Sequence, residues 1–254
     1  MEEVVLSLTQ RGQREFKMKK ISDIAVLIQA RLSSQRCVHK MIRPFAGTTL
    51  TDLALEKLLS SKVIPRENIY LAVHEPELIS IGKKHGVNVF VRSEESALSE
   101  GLSMHVLYEW WDQIPFKYIV MVNACAPMLK INTIDDFITE YINTESDGMF
   151  GVIEKKNYFW DKAGNCFTIP TEPVMNTKTA DIVYEAAHCL YASRMLSIGD
   201  GIWMGDFRKK GNIELVVIPE EEVFDIDYEW EFDLYEDLYL SSKKERKNLH
   251  PRQI

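Results

Sequence analysis

The chain has 254 residues, of which 46% are hydrophobic, and its formal net charge is −8. This length and apolar content suffice for one large α/β domain, or for one domain with a small appendage. The acidic balance argues against a general nucleic-acid binder, because affinity for a phosphate backbone needs a broad basic surface. The separated cysteines (Cys37, Cys125, Cys166 and Cys189) form no CxxC pair, which favours a reducing compartment over a disulfide or zinc framework.

Residues 1–20 are rich in charge and lack a long apolar core, so we expect an N-terminal extension and no secretory signal. Strand and helix patterns then alternate, which is typical of a parallel α/β sheet. The predicted strands are residues 24–28, 69–73, 87–91, 118–122, 148–153 and 214–218. The predicted helices are residues 51–60, 78–85, 102–111 and 134–141.

An aromatic hairpin is predicted over residues 158–167, around an Asp-Lys-Ala-Gly-Asn turn. It opens a less regular region that extends to about residue 205, which we interpret as an insertion lining one side of a cleft. The basic segment over residues 241–254 is predicted to be a solvated tail. No segment has the roughly 18 apolar residues that a membrane-spanning helix needs, so we expect a cytoplasmic protein without a membrane partner.

The segment that follows the first predicted strand is rich in cations and hydroxyls. It contains Arg31, Ser33, Ser34, Arg36 and Lys40. Open α/β sheets bind ligands beyond the carboxyl ends of their strands. Arginine offers paired donors to phosphate oxygens, and lysine adds a mobile point charge. The pattern indicates a polyphosphate site, and a solvated basic loop is the alternative.

Two carboxylates near the C-terminus form a second candidate site. Asp225 and Asp227 alternate with apolar residues, and at strand period two they share one face. Such a pair suits Mg²⁺, which binds through one or two carboxylates plus substrate phosphates. An exposed strand face or an acidic helix start is the alternative. Coupled to the cationic loop, the pair indicates metal-assisted triphosphate chemistry.

Four segments, in the same order along the chain, resemble motifs of the acylneuraminate cytidylyltransferase family. They are residues 28–36 with Lys40, residues 89–96, residues 118–128 and residues 224–227. The first loop, with Gln29 and the bulky Leu32, is also similar to a subgroup linked to spore-coat polysaccharide synthesis. The resemblance implies a Rossmann-like nucleotide-diphospho-sugar transferase fold over residues 21–240, with an inserted sugar-side and dimerisation region at about residues 155–205.

The resemblance further implies a Mg²⁺-dependent enzyme that couples a nonulosonic, sialic-acid-like sugar acid to CMP from CTP and releases pyrophosphate, for surface glycan synthesis by a homodimer. Carried over position by position, the nucleotide contacts would be Ala30, Arg31, Leu32, Ser33, Ser34, Arg36, Lys40 and Arg92. Of these, Arg31, Arg36 and Lys40 would be catalytic. The sugar-acid contacts would be Asn123, Tyr184 and His188, and the metal ligands would be Asp225 and Asp227.

The sequence also departs from the family pattern. Met41 replaces an asparagine, Asn123 replaces a glutamine, and Ala187 and His188 replace an Asn-Gly pair. These changes leave two alternatives open: a nucleotidyltransferase of the same fold using another nucleotide, and a non-catalytic nucleotide-binding homologue. On its mostly apolar segment, His188 is predicted to be a hydrogen-bonded core residue if it does not contact substrate. The cysteines lack a His–Asp neighbour, so no thiolate nucleophile is predicted.

Overall fold

The computed structural model describes residues 18–98, 102–168, 176–205 and 213–248. Within these ranges the strands form one sheet. They are β1 (Ile24–Gln29), β2 (Ile69–Val73), β3 (Asn88–Val91), β4 (Tyr118–Val122), β5 (Met149–Lys156), β6 (Ile182–Arg194) and β7 (Glu214–Val217). The helices are α1 (Leu50–Leu59), α2 (Pro76–His85), α3 (Met104–Leu107), α4 (Ile131–Asn143), α5 (Met195–Gly199) and α6 (Glu229–Asn248). Among the described helices, none is long and apolar enough to cross a bilayer.

Strand β1 is buried on both of its faces, as its continuous apolar run predicts. Successive side chains of a strand point to opposite faces of the sheet. Val26 and Ile28 belong to the larger buried cluster, which includes Leu55 of α1, whereas Leu27 belongs to a smaller cluster with Trp110. Protein therefore covers both faces of the sheet at β1, and a ligand reaches this strand at its end.

The strand order is β3-β2-β1-β4-β6-β5-β7. Strand β1 pairs in parallel with β2 and with β4, whereas β6 runs antiparallel to both β4 and β5. The chain builds outward from β1 in one direction and then returns to place β4 on its other side. This reversal is the topological switch point at which open α/β sheets bind ligands. The cationic loop after β1 lies there.

The six predicted strands are all present, with ends shifted by at most a few residues. Strand β6 was missed, because it lies within the region predicted to be irregular. Its pairing with β5 shifts register between Phe150 and Val152, and this irregularity interrupts the alternation by which strands are recognised. The aromatic hairpin is present, with a bridge between Trp160 and Cys166.

One helical prediction and the prediction for the C-terminal segment differ from the structure. The helix predicted over residues 102–111 is the short α3 followed by a 3₁₀ turn, Glu109–Asp112. The basic segment predicted as a tail from residue 241 continues α6 to Asn248. Helix α6 is anchored through aromatic contacts, because Phe45 packs against Phe232 and Tyr239 with ring centroids 5.4 and 5.8 Å apart.

Candidate active site

A cleft of about 740 Å³, called here the first cleft, opens beyond the carboxyl end of β1. Its lining includes Ala30, Arg31, Ser33, Ser34, Arg36, Lys40, Arg92 and Asp227. The structure thus brings together all the predicted nucleotide contacts except Leu32, which packs against the core. Four cations face one carboxylate among these residues, which suits an anionic ligand.

The cationic loop is fixed by hydrogen bonds to neighbouring segments. The backbone N–H of Leu32 donates to Glu75 Oε1 at 2.6 Å. The Ser33 hydroxyl donates to the Ala97 carbonyl at 3.2 Å, and the Arg31 guanidinium donates to the Leu98 carbonyl. These contacts hold the loop in place without using the cations of Arg36 or Lys40.

Arg92 lies at the end of β3 and is buried. It donates to the Ala30 carbonyl at 3.4 Å and, through Nε, to the Ser96 hydroxyl at 3.0 Å. Burial lowers the pKa of Arg92 to about 10, so the guanidinium stays charged at neutral pH. Arg92 therefore braces the loop and also contributes positive charge to the first cleft.

Arg36 and Lys40 share one carboxylate from the other end of the chain. Arg36 Nη2 lies 2.8 Å from Asp227 Oδ1, and Lys40 Nζ lies 3.6 Å from the same oxygen. Burial lowers the pKa of Lys40, but Cys125, Asp225 and Asp227 outweigh this and the net shift is upward. Lys40 is therefore an ammonium ion, and both cations are available to a second anion beside Asp227.

Asp225 has the environment expected of a metal ligand. Its Oδ1 is buried and has no hydrogen-bond partner among the described residues. Burial raises the pKa of Asp225, the nearby Lys40 opposes this shift, and Asp227 adds to it. A buried carboxylate oxygen without a partner is costly, and a bound cation would satisfy it. The described residues contain no cluster of three side chains suited to a metal, so substrate phosphates would complete the coordination.

The sequence predicted a strand at the two aspartates, and the structure has none there. They occupy an extended coil between a 3₁₀ turn and α6. Ile226 separates them, is fully buried, and donates its backbone N–H to the Cys125 carbonyl at 3.0 Å. Ile226 fixes the coil against the segment that follows β4. Acidic and apolar residues therefore alternate here although the segment pairs with no described strand.

A second cleft, of about 560 Å³, lies beside the first. Aromatic side chains from separate parts of the chain form much of its wall: Tyr108, Phe150, Tyr191 and Trp203. Sequence reasoning missed this cleft, because no local pattern links these residues.

His188 lines the second cleft and is exposed, so the expectation of a core histidine was wrong. Its φ of +52° lies in the left-handed region, at the irregular stretch of β6. This backbone turn directs the side chain out of the core, where its Nδ1 lies 3.4 Å from the Tyr191 hydroxyl. The position suits the predicted contact with a substrate.

Of the other two predicted sugar-acid contacts, Asn123 bonds to neighbouring backbone groups and Tyr184 lies outside both clefts. Asn123 donates to the His188 carbonyl at 3.0 Å and accepts from the Cys125 N–H at 2.9 Å. It therefore links the end of β4 to the turn in β6. Tyr184 is 51% exposed, pairs across the sheet with Glu154 and lines neither cleft.

The thiols near the site are not activated. Burial raises the pKa of Cys125 to about 11 and also raises the pKa of Cys37. A thiol with a raised pKa is a poor nucleophile at neutral pH. This agrees with the expectation that the chemistry uses no thiolate.

Comparison with known proteins finds cytidylyltransferases both among family profiles and among curated sequences. A sequence profile described as cytidylyltransferase matches residues 25–242. The 3-deoxy-manno-octulosonate cytidylyltransferase of Rickettsia felis (strain ATCC VR-1525 / URRWXCal2) is 29% identical over 136 residues, 52% of each chain. That of Rickettsia bellii (strain OSU 85-389) is 26% identical over 150 residues, 58% of this chain and 59% of the relative. The chain thus spans little more than half the length of these curated relatives.

Solved structures share the fold more completely. CMP:2-keto-3-deoxy-manno-octonic acid synthetase complexed with CTP has a TM-score of 0.62 at 10% identity, covering 87% of this chain and 99% of that chain. The 4-diphosphocytidyl-2C-methyl-D-erythritol synthase from Anaerococcus prevotii DSM 20548 has a TM-score of 0.61 at 13% identity, covering 86% and 96%. At such identities the likeness establishes the fold alone, and it confirms the predicted Rossmann-like nucleotidyltransferase architecture.

Proposed function

The chain belongs to the cytidylyltransferase family, and on this premise we propose that it transfers CMP from CTP to a sugar acid and releases pyrophosphate. The observation that carries the proposal is the first cleft, in which Arg36 and Lys40 meet Asp227 at the switch point of the sheet. Cations beside acidic side chains are what a triphosphate and its metal ion require.

In the proposed reaction, a hydroxyl oxygen of the sugar acid attacks the α-phosphorus of CTP. A new P–O bond forms while the bond to the α–β bridging oxygen breaks, and pyrophosphate leaves with that electron pair. The hydroxyl proton passes to water. Negative charge grows on the leaving group, so Arg31, Arg36 and Lys40 stabilise the transition state more than the ground state. Positioning and charge then account for most of the catalysis.

We propose Mg²⁺ as the cofactor, held by Asp225 and Asp227. The unpartnered, buried Oδ1 of Asp225 supports this assignment. When bound, the ion supplies Lewis-acid polarisation of phosphate oxygens and lowers the pKa of a coordinated hydroxyl. Lys40 lies beside both carboxylates and limits their mutual repulsion.

The second cleft is the proposed site of the sugar acid. Its aromatic walls suit the apolar face of a sugar ring, and the His188 side chain can hydrogen-bond a hydroxyl or carboxylate. The names of the curated relatives favour 3-deoxy-manno-octulosonate as the acceptor, and a sialic-acid-like acid remains a proposal from the motif resemblance. The same resemblance supports a homodimer that serves surface glycan synthesis, and a cytoplasmic location stays a prediction from the sequence composition.

The proposal is tested by measuring pyrophosphate release from CTP, with and without Mg²⁺, in the presence of 3-deoxy-manno-octulosonate or a sialic acid. GTP, ATP and UTP are assayed in parallel, and ³¹P NMR identifies the product. We expect Mg²⁺-dependent release with CTP and at least one sugar acid. Release of pyrophosphate from another nucleotide, and not from CTP, would show that the enzyme uses a base other than cytosine. Nucleotide binding without release from any pair would support the non-catalytic homologue.

A further inference from the structure

The first and second clefts meet at one place. Among the described residues, only Gln29 and Leu107 line both of them. Gln29 is the last residue of β1, a strand buried on both faces, so its backbone is held rigidly.

The side chain of Gln29 has a fixed orientation. Its Oε1 accepts a hydrogen bond from Trp110 Nε1 at 2.7 Å, and its Nε2 donates to the Leu107 carbonyl at 3.3 Å. Trp110 is fully buried in the smaller core cluster, so its indole N–H cannot turn away. Because an indole N–H only donates, it specifies which end of the glutamine amide is oxygen.

The amide nitrogen of Gln29 carries two hydrogens. One is used by the Leu107 carbonyl, and Nε2 has no other partner among the described residues. A neutral N–H donor, held by a rigid strand and a buried tryptophan, is therefore present at the junction of the two clefts. Preorganised donors of this kind stabilise charge that develops in a transition state.

We infer that Gln29 is a catalytic residue that donates its remaining amide hydrogen to an oxygen of the α-phosphoryl group of CTP. The inference rests on the proposed function. If the nucleotide occupies the first cleft and the sugar acid the second, the attacked phosphorus must lie where the clefts meet. Gln29 forms no covalent bond and transfers no proton, and Trp110 acts through it as a positioning residue.

Kinetics of matched variants test this role. Gln29→Glu keeps the shape of the side chain, replaces the donor with an acceptor and brings negative charge to the phosphoryl group. We expect kcat, measured where both proteins are folded, to fall by about 100-fold, the usual effect of removing one such donor. The melting temperature should fall as well, because the new carboxylate oxygen faces the Leu107 carbonyl without a hydrogen between them. Gln113→Ala, which alters a glutamine outside both clefts, should leave kcat unchanged. Retention of kcat within twofold in Gln29→Glu overturns the inference.

Trp110→Phe tests the positioning role. The variant keeps an aromatic ring in the core and removes the N–H that orients Gln29, together with part of the buried indole ring system. We expect kcat to fall by about tenfold, less than for Gln29→Glu, with little change in KM for CTP, because one interaction made in the transition state is weakened. If Trp110 has only a structural role, the variant should lose stability, and kcat should not fall selectively while KM for CTP stays the same.

A binding measurement tests the contact without requiring turnover. In ¹⁵N-labelled protein, the side-chain amide signals of Gln29 are those that disappear in Gln29→Glu. Saturation with CTP should shift these signals, whereas the signals of Gln113 should stay in place. If the Gln29 signals do not move while CTP is bound, the inference fails even if wild-type protein releases pyrophosphate. If they move but no acceptor supports release, the contact stands and the proposed function fails.

Discussion

The guanidinium of Arg36 lies 2.8 Å from the carboxylate of Asp227, although the two residues come from opposite ends of the chain. The pair joins the loop after β1 to the coil before α6. Because Asp227 also lies 3.6 Å from Lys40, any anion bound here shares these cations with a carboxylate. The proposed phosphate site and the proposed metal site are therefore coupled by charge, since both use Asp227.

Arg36→Ala should weaken CTP binding. Hydrogen bonds to charged groups contribute about 1.5–3 kcal/mol, so we expect the Kd for CTP to rise by about 10- to 100-fold in isothermal titration calorimetry. The Arg36 side chain is 56% exposed, so the fold should tolerate its loss. Lys83→Ala is the control, since it removes a cation from α2 outside both clefts. An unchanged Kd in Arg36→Ala would exclude Arg36 from the triphosphate site.

Asp225→Asn should raise the stability of the protein and abolish its activity. Replacing a buried carboxylate whose Oδ1 has no partner with a neutral amide lowers the cost of burial. We expect the melting temperature without metal to rise by about 2–4 °C, which corresponds to about 1 kcal/mol for a protein of this size. Mg²⁺-dependent turnover should be lost. The control, Asp136→Asn, changes an exposed carboxylate of α4. Full turnover in Asp225→Asn would remove this residue from the metal site.

Asp227→Asn has a different expected effect. The variant removes the carboxylate that faces Arg36 and Lys40, so both cations become freer to bind phosphate. We expect CTP affinity measured without Mg²⁺ to stay the same or increase, while turnover with Mg²⁺ is largely lost. Normal turnover in this variant would show that Asp227 is not a metal ligand.

Lys57 should make the stability of the protein depend on pH. It donates to the Pro127 and Ala126 carbonyls at 2.6 and 3.3 Å, and burial lowers its pKa to about 7. An unfolded lysine titrates near 10.4. Between these two values the unfolded chain binds more protons, so the free energy of unfolding should rise with pH by up to about 1.4 kcal/mol per unit.

Urea unfolding of Lys57→Met and of wild-type protein at pH 7.5 and 9 measures this contribution. The increase of stability with pH should be smaller in the variant. Comparison of the two proteins removes the effect of other groups, such as the buried thiol of Cys189, whose pKa burial raises to about 12. Lys62→Met, at an exposed lysine, should behave as wild type. Equal pH dependence in all three proteins would contradict the assignment.

The parts of the fold that were predictable depend on local chemistry. The core strand β1 is a continuous apolar run, because both of its faces are covered. The cationic loop was recognisable because Arg31, Arg36 and Lys40 follow that strand closely. Helix α1 was also predicted, and it begins next to a capping residue, because the Thr49 side chain accepts from the Asp52 N–H.

The second cleft was not predictable, because it depends on topology. Tyr108, Phe150 and Trp203 come from distant segments that only the order of the strands brings together. The hydrogen bond between Gln29 and Trp110 is also long-range, so a glutamine at a strand end gave no sign of its role. For His188, the apolar pattern predicted burial, but the left-handed backbone turn decides the direction of its side chain.

Two substitutions at His188 should distinguish the effect of its backbone conformation on stability from the effect of its side chain on substrate binding. At a φ of +52°, residues other than glycine bear a cost of roughly 1–2 kcal/mol, and glycine avoids most of it. His188→Gly should therefore be more stable than His188→Ala by about 1 kcal/mol in urea unfolding. Both variants lack the imidazole beside Tyr191, so both should raise KM for the sugar acid while Kd for CTP stays unchanged. Equal stabilities would contradict the strained backbone, and an unchanged KM in both variants would show that the side chain does not contact the acceptor.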